Sequence, residues 1–315
     1  MSARVFIDGA VGTTGLQIQA RLEGRSDIEL TRLAEAVRKD PAARADMLNS
    51  VDVAILCLPD DAAKDAVAMI ENPAVKVIDA STAHRVADSW AYGFPEYDAD
   101  QRAKIASATR VSNPGCYAVA SISIFHPLVS SGLLPADAAV TINAISGYSG
   151  GGKALIQSFE DPDSENPIHA PYFVYGLSLN HKHVPEIQAH GGLSKRPLFV
   201  PSVGRFAQGM IVQVPLQLWS LPGAPKAADV HAALADHYAG QRFVTVASME
   251  DAAGIGRIFP ESANDTNDLR LFVFANEAEG QAVVMAQLDN LGKGASGSCV
   301  QNLNIMLGLD EGAGL

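Results

Sequence analysis

The chain has 315 residues and a mass of 33.1 kDa, enough for two domains or one large one around a well-buried core, which excludes a disordered or fibrous protein. Hydrophobic residues make up 48% and charged residues 18%, and no apolar run is long enough to span a bilayer. The net charge of −12, with no Lys/Arg cluster, excludes a nucleic-acid surface but leaves room for a small anionic substrate held by a few local donors. Three scattered cysteines, Cys57, Cys116 and Cys299, fit free thiols in a reducing compartment. The opening "MSARVFIDGAVG" has neither the basic flank nor the apolar core of a signal peptide, so a cytoplasmic protein without membrane contact is expected.

In chain order, "RVFIDG", "IELTRLA", "VDVAILCLP" and "VKVIDAS" read as strands, and the segments after Gly12, after Pro41 and "DDAAKDAVAMI" read as helices. Such alternation predicts an α/β unit with a Rossmann-type, doubly wound parallel sheet. "VDVAILCLP" is apolar almost throughout, as a central strand covered on both faces should be, and Cys57 within it reads as core. Past Cys116 a strand leads into the glycine-rich "SGYSGGGK", and the stretch to about residue 200 reads as irregular. "GMIVQVPLQLW", "RFVTVAS", "RLFVFANE" and "QAVVMAQLDN" then predict a second α+β domain with a mostly antiparallel sheet. The tail "KGASGSCVQNLNIMLG" has helical spacing and stops at Gly308. The expected boundaries are 1–115 for the first domain, completed by a C-terminal helix at about 294–315, and 116–293 for the second.

In "VFIDGAVGTTGLQIQARL", Gly9, Gly12 and Gly15 follow a strand and open a helix. Gly9 can make the tight turn and Gly12 can admit a pyrophosphate, while Thr13 and Thr14 stand at the helix N-terminus, whose amides and dipole favour anions. A nucleotide 2′-phosphate calls for a cation near the end of the second strand, a free ribose for an acid. "LTRLAEAVRKD" offers Arg32, Arg38 and Lys39 beside Glu35, which leans toward NADP.

"VSNPGCYAVASISIFHPL" raises the question of whether Cys116 is packed or reactive. Asn113 as N-cap and Pro114 at the first helical position would put Cys116 in the first turn, where free amides and the dipole lower a thiol pKa from about 8.5. Core packing is the usual fate of cysteine and is preferred for Cys57 and Cys299. For Cys116 the Asn-Pro-Gly lead-in favours a nucleophile. A proton-transfer partner is offered by "SLNHKHVPEIQ", where an extended segment, helix being disfavoured by Pro185, would put His181 and His183 on one face. No third ligand lies at metal spacing, so no metal is expected.

"GAVGTTG", "SNPGCY", "SGYSGGGK", "HKHVPEI" and "LGKGASGSCVQNLNIMLG", in that order and over most of the chain, resemble the N-acetyl-γ-glutamyl-phosphate reductase family of arginine biosynthesis, in its shorter class. The family is related to aspartate-semialdehyde and glyceraldehyde-phosphate dehydrogenases. The resemblance implies an NADP(H)-dependent oxidoreductase working through a cysteine thioester. Cys116 attacks the acyl phosphate, phosphate leaves, and reduction gives N-acetylglutamate semialdehyde. It further implies His183 as acid/base with His181 as the alternative, and Asn113 beside the Cys116 amide at the oxyanion. Cofactor contacts then fall on Gly9, Gly12, Thr13, Thr14, Gly15, Arg32, Ser81 of "DASTAHR", Lys293 and Gly294. Substrate contacts fall on Ser146, Gly147, Ser149, Gly150, Lys153, Arg205 and Arg85. A homodimer or homotetramer is expected from the relatives. The competing readings are a related acyl-phosphate reductase acting on aspartyl or aminoadipyl phosphate, a non-catalytic dinucleotide sensor, and a cysteine hydrolase.

Overall fold

The short β-branched runs of the first 80 residues pair side by side because a helix follows each of the first three and carries the chain back for a parallel partner. β1 (Ala3–Asp8), α1 (Thr13–Leu22), β2 (Ile28–Thr31), α2 (Pro41–Ser50), β3 (Val53–Leu56), α3 (Asp60–Ala68) and β4 (Lys76–Asp79) follow one another in sequence, then β5 (Ala91–Tyr92), α4 (Gln101–Ser107) and β6 (Arg110–Ser112). α2 starts where Asp40 accepts the Ala43 N–H at 2.8 Å, with Pro41 in the first turn, where no amide is needed. The computed structural model describes residues 2–315, and it divides into two units: the chain up to Gly115 with Ala295–Leu315, and Cys116–Gly294.

In the first unit the strand order is β2-β1-β3-β4-β6-β5, with every pairing parallel. Alternate residues divide cleanly between two layers. Val5, Ile7, Val53 and Ile55 face Ile18 and Leu22 of α1, together with Cys299, Val300, Leu303 and Met306 of a C-terminal helix, while Phe6, Ala54, Leu56 and Val77 face Leu48, Ala63 and Ala66 of α2 and α3. Both faces are covered, as the apolar reading of β3 required. The strand order reverses between β1 and β3, and in sheets of this kind ligands bind outside the carboxyl ends of the strands at such a point.

The second unit contains α5 (Cys116–Ser130), β7 (Thr141–Gly147), α6 (Gly152–Glu160), β8 (Tyr172–Val174), α7 (Val184–His190), β9 (Leu198–Gly204), β10 (Met210–Gln217), α8 (Ala227–His237), β11 (Val244–Val246), α9 (Met249–Ala253), β12 (Leu269–Asn276) and β13 (Gln281–Leu288). Its sheet runs β11-β12-β13-β10-β7-β9-β8, antiparallel except for β11 with β12 and β7 with β9. The stretch expected to be irregular up to residue 200 therefore holds two helices, an edge strand and the start of a central one. Pro201 hid β9 from the sequence, since proline argues against an inner strand. Here it pairs opposite Ala144 and uses only its carbonyl, which accepts from Tyr175 N–H at 3.1 Å. The chain closes with α10 (Gly297–Leu307), which ends at Gly308 in the left-handed conformation, φ 69°, as its sequence predicts.

Candidate functional site

The glycine turn leaves β1 at Asp8, and each glycine has its own reason. Gly9 has φ +87°, and a Cβ there would land on the Cys57 carbonyl just past β3. A Cβ at Gly15 would stand 2.7 Å from the Gly9 oxygen, so α1 packs directly on the turn. A Cβ at Gly12 would meet only that same oxygen, at 3.4 Å, which leaves this side of the turn open. Thr13 and Thr14 begin α1. Beside the turn lies a cleft of about 640 Å³ lined by Asp8, Gly9, Thr31, Arg32, Glu35, Arg38, Lys39 and Arg44, among others. Arg32 is exposed and 3.5 Å from Glu23; Arg38 is 3.5 Å from Glu35. An open glycine turn at a helix start, next to clustered cations, fits the pyrophosphate of a dinucleotide.

At the end of β4, buried Asp79 organises the following loop. It accepts from Ser81 N–H at 2.9 Å, from the Ser81 hydroxyl at 2.7 Å and pairs with His84 Nδ1 at 2.6 Å, while the His84 ring stacks on Trp90. Arg85 is buried, and its Nε and Nη2 donate to the carbonyls of Asn113 and Ala80. α5 starts at Cys116, later than the Pro114 start that the sequence predicts, and Asn113 is tied to the sheet and to the C-terminal helix. Its N–H donates to the Asp79 carbonyl at 2.7 Å, prolonging the β4–β6 pairing, its Nδ2 donates to Ala295 O, and its Oδ1 accepts from Asn302. Cys116 thus takes the first position of α5, three residues past Asn113.

Cys116 is half-buried at the N-terminus of this 15-residue helix, where the first amides have no intrahelical acceptor. Its two fellow cysteines are set for packing: burial pushes the Cys57 thiol up to about 12 and the Cys299 thiol well above its ordinary value. Next to Cys116, buried Tyr117 donates to Ser202 O at 3.1 Å and touches both histidine rings, 5.8 Å from His181 and 5.9 Å from His183. The histidines do not alternate along an extended segment as the sequence predicts. His183 adopts αR geometry (φ −83°, ψ −12°) at the N-cap of α7, and Pro185 is accommodated because the first turn needs no amide from it. The turn still brings the two rings together, at 4.8 Å between centroids. His181 Nδ1 accepts from His183 N–H at 3.2 Å, which leaves the proton on Nε2, 3.3 Å from the Tyr175 hydroxyl. Burial, helped by the Lys182 charge, lowers its pKa to about 4. Tyr117 and Tyr175, packed around this cluster, escaped the sequence reading; adjacency to Cys116 was the available signal for Tyr117.

The first amides of the glycine-rich loop are turned to the protein itself. The N–H groups of Gly147, Tyr148 and Ser149 donate to the carbonyls of Gly209, Phe206 and Ala207. What it offers are the buried hydroxyls of Ser146 and Ser149, the exposed Gly150, and Lys153, exposed in the first turn of α6. Ser149 Oγ accepts from Asn290 Nδ2 at 2.9 Å, a residue the sequence reading overlooked. Arg205 is turned to the protein itself, donating to the carbonyls of Ala170, Phe159 and Ile168. Lys293 is fully buried with its ammonium 5.7 Å from the Phe243 ring centre. Gly294 makes room for the thiol side chain, since a Cβ there would be 2.8 Å from the Cys116 Cβ.

Residues 4–105 match the family described as semialdehyde dehydrogenase, NAD binding domain, and residues 116–290 that described as semialdehyde dehydrogenase, dimerisation domain. The N-acetyl-gamma-glutamyl-phosphate reductase of Chelativorans sp. (strain BNC1) is 56% identical over 309 residues, 98% of this chain and 99% of that protein. The protein of the same name from Trichormus variabilis is 53% identical over 318 residues, 99% of each. Among solved structures, aspartate semialdehyde dehydrogenase from Francisella tularensis superposes with a TM-score of 0.71 at 13% identity, covering 97% of this chain and 100% of that one. The Candida albicans enzyme of that name, solved with NADP, gives 0.68 at 15%, covering 98% and 99%. These two likenesses speak to the fold, whereas the curated relatives reach through both units at more than half identity. The chain belongs to the N-acetyl-gamma-glutamyl-phosphate reductase family, with an NAD(P)-binding unit of Rossmann type followed by a semialdehyde dehydrogenase dimerisation unit.

Proposed function

We propose that this chain reduces N-acetyl-γ-glutamyl phosphate to N-acetylglutamate 5-semialdehyde with release of phosphate, a step of arginine biosynthesis, using NADPH and a thioester on Cys116. The observation that carries the reading is Cys116 at the N-terminus of α5 with the His181–His183 pair gathered on its neighbour Tyr117, in a chain 56% identical to a reductase of that name. NADPH, when bound, supplies the hydride. The cations along the first unit's cleft favour the extra phosphate of NADP(H) over NAD(H). Cytoplasmic location and a homodimer or homotetramer complete the proposal.

The remaining chemistry belongs to the chain's own side chains. The Cys116 Sγ bonds to the acyl carbon as the carbon–oxygen bond to phosphate breaks, and the positive dipole end at the start of α5 stabilises the oxyanion. Ser146, Ser149 and Lys153 offer donors to the substrate's anionic groups. After reduction, His183 protonates the thiohemiacetal oxygen and takes that proton back as the carbon–sulfur bond breaks and the thiolate returns. His181, held neutral by burial and fixed between His183 N–H and Tyr175, serves to orient this pair. Cys116→Ala should abolish turnover and leave NADPH affinity within about twofold, since the thiol bears on chemistry and not on cofactor binding. Substantial residual turnover would overturn the thioester. In the reverse direction, with phosphate and NADP, a preference for aspartate semialdehyde over N-acetylglutamate semialdehyde would overturn the substrate.

A further inference from the structure

Asp8 is an acid in an unexpected place. It ends β1, directly before Gly9, its side chain is only 8% exposed, and it lines the same cleft as Arg32, Arg38 and Lys39. In dinucleotide sites a carboxylate beside the adenosine ribose discriminates against a 2′-phosphate by repulsion. Here both Arg44 Nη2, at 2.7 Å, and Arg44 Nε, at 3.2 Å, donate to Asp8 Oδ2. Arg44 comes from the first turn of α2, the helix that follows the cationic segment, and its side chain is 16% exposed. The cleft's other acid, Glu35, is 88% exposed and lies beside Arg38.

Resting on the NADP(H) reading above, we infer that Arg44 is a specificity-determining residue that acts through Asp8: it cancels the one buried acid of the cleft, so that a phosphate on the ribose meets the charge of Arg32, Arg38 and Lys39 without opposition. The guanidinium sits in a partly desolvated site, where an uncompensated charge a few ångströms away changes anion affinity on the order of tenfold. Arg44 Nη1 makes no hydrogen bond among the described residues, so a direct contact to the phosphate is the rival role. The two roles differ in what happens when Asp8 is neutralised as well.

The test is direct binding of NADPH and NADH, followed by the quenching of protein fluorescence, in the wild type, Arg44→Met, Asp8→Asn and the double variant, with thermal unfolding as a check on folding. Arg44→Met should weaken NADPH about tenfold and NADH little, and adding Asp8→Asn should restore most of the loss. Equal weakening of both nucleotides by Arg44→Met, or a double variant as poor for NADPH as the single one, would overturn the inference. Should Arg44→Met fail to fold, Asp8→Asn alone decides: NADPH binding at least as tight as in the wild type supports the inference, and selective loss of NADPH overturns it. A wild type without preference for NADPH would instead overturn the cofactor reading on which the inference rests.

Discussion

In the proposed mechanism the two histidines divide the work by environment. His181 carries a pKa of about 4 against its ordinary 6.5, with burial as the main cause. A base whose folded pKa is depressed contributes stability that is complete above pH 6.5 and is lost as pH falls toward 4, because the unfolded chain binds the proton more readily over that window. The stability difference between wild type and His181→Asn, from urea midpoints, should therefore be constant above pH 6.5 and shrink below it. Under the proposed roles, His183→Asn should lower kcat by a factor of about 100 or more, whereas His181→Asn, which removes only an orienting group, should lower it far less. A larger loss of kcat with His181→Asn than with His183→Asn would reverse the roles assigned to the pair.

At the scale of elements, close approach governs the turn that precedes α10. Gly294 lies where a Cβ would be 2.8 Å from that of Cys116. Gly294→Ala should destabilise the protein by about 1–3 kcal/mol in denaturant unfolding, the range for overpacking a tight site. An unchanged midpoint would show that the turn can give way. The parallel sheet was legible because β1 to β4 are apolar, β-branched and punctuated by caps such as Asp40-Pro41. The segment from α6 to β9 was not. Its edge strand spans only Tyr172–Val174, its inner strand contains Pro201, and its helix α7 opens on Val184-Pro185, which reads as a helix breaker until the proline is recognised as occupying the first turn. The same ambiguity affected the site: Asn113-Pro114 has the composition of a helix start, but Asn113 prolongs the pairing with β4 and α5 begins only at Cys116. The thiol, the glycine turn and the histidine pair were legible because their chemistry rests on residue type and order. Arg44, Asn290 and Tyr175 were not, because they reach their partners only through the fold.

Over the whole molecule, a net charge of −12 coexists with a cleft that gathers Arg32, Arg38, Lys39 and Arg44, so nucleotide attraction is a local property that the overall charge conceals. The C-terminal helix belongs to the first unit, where Cys299, Val300, Leu303 and Met306 complete one layer of its core, so the nucleotide unit is built from both ends of the chain. The second unit matches a domain described by dimerisation, and light scattering should give at least twice the 33.1 kDa chain mass; a monomer at micromolar concentration would contradict the proposed assembly. The proposed covalent step on Cys116 is open to one direct measurement: mixing the enzyme with N-acetyl-γ-glutamyl phosphate in the absence of any nucleotide, then following phosphate release and the mass of the peptide that contains Cys116. The thioester account predicts a rapid release of phosphate equal to the number of active sites, with the acyl group on Cys116. No release before NADPH is added, or release with an unmodified Cys116, would contradict it.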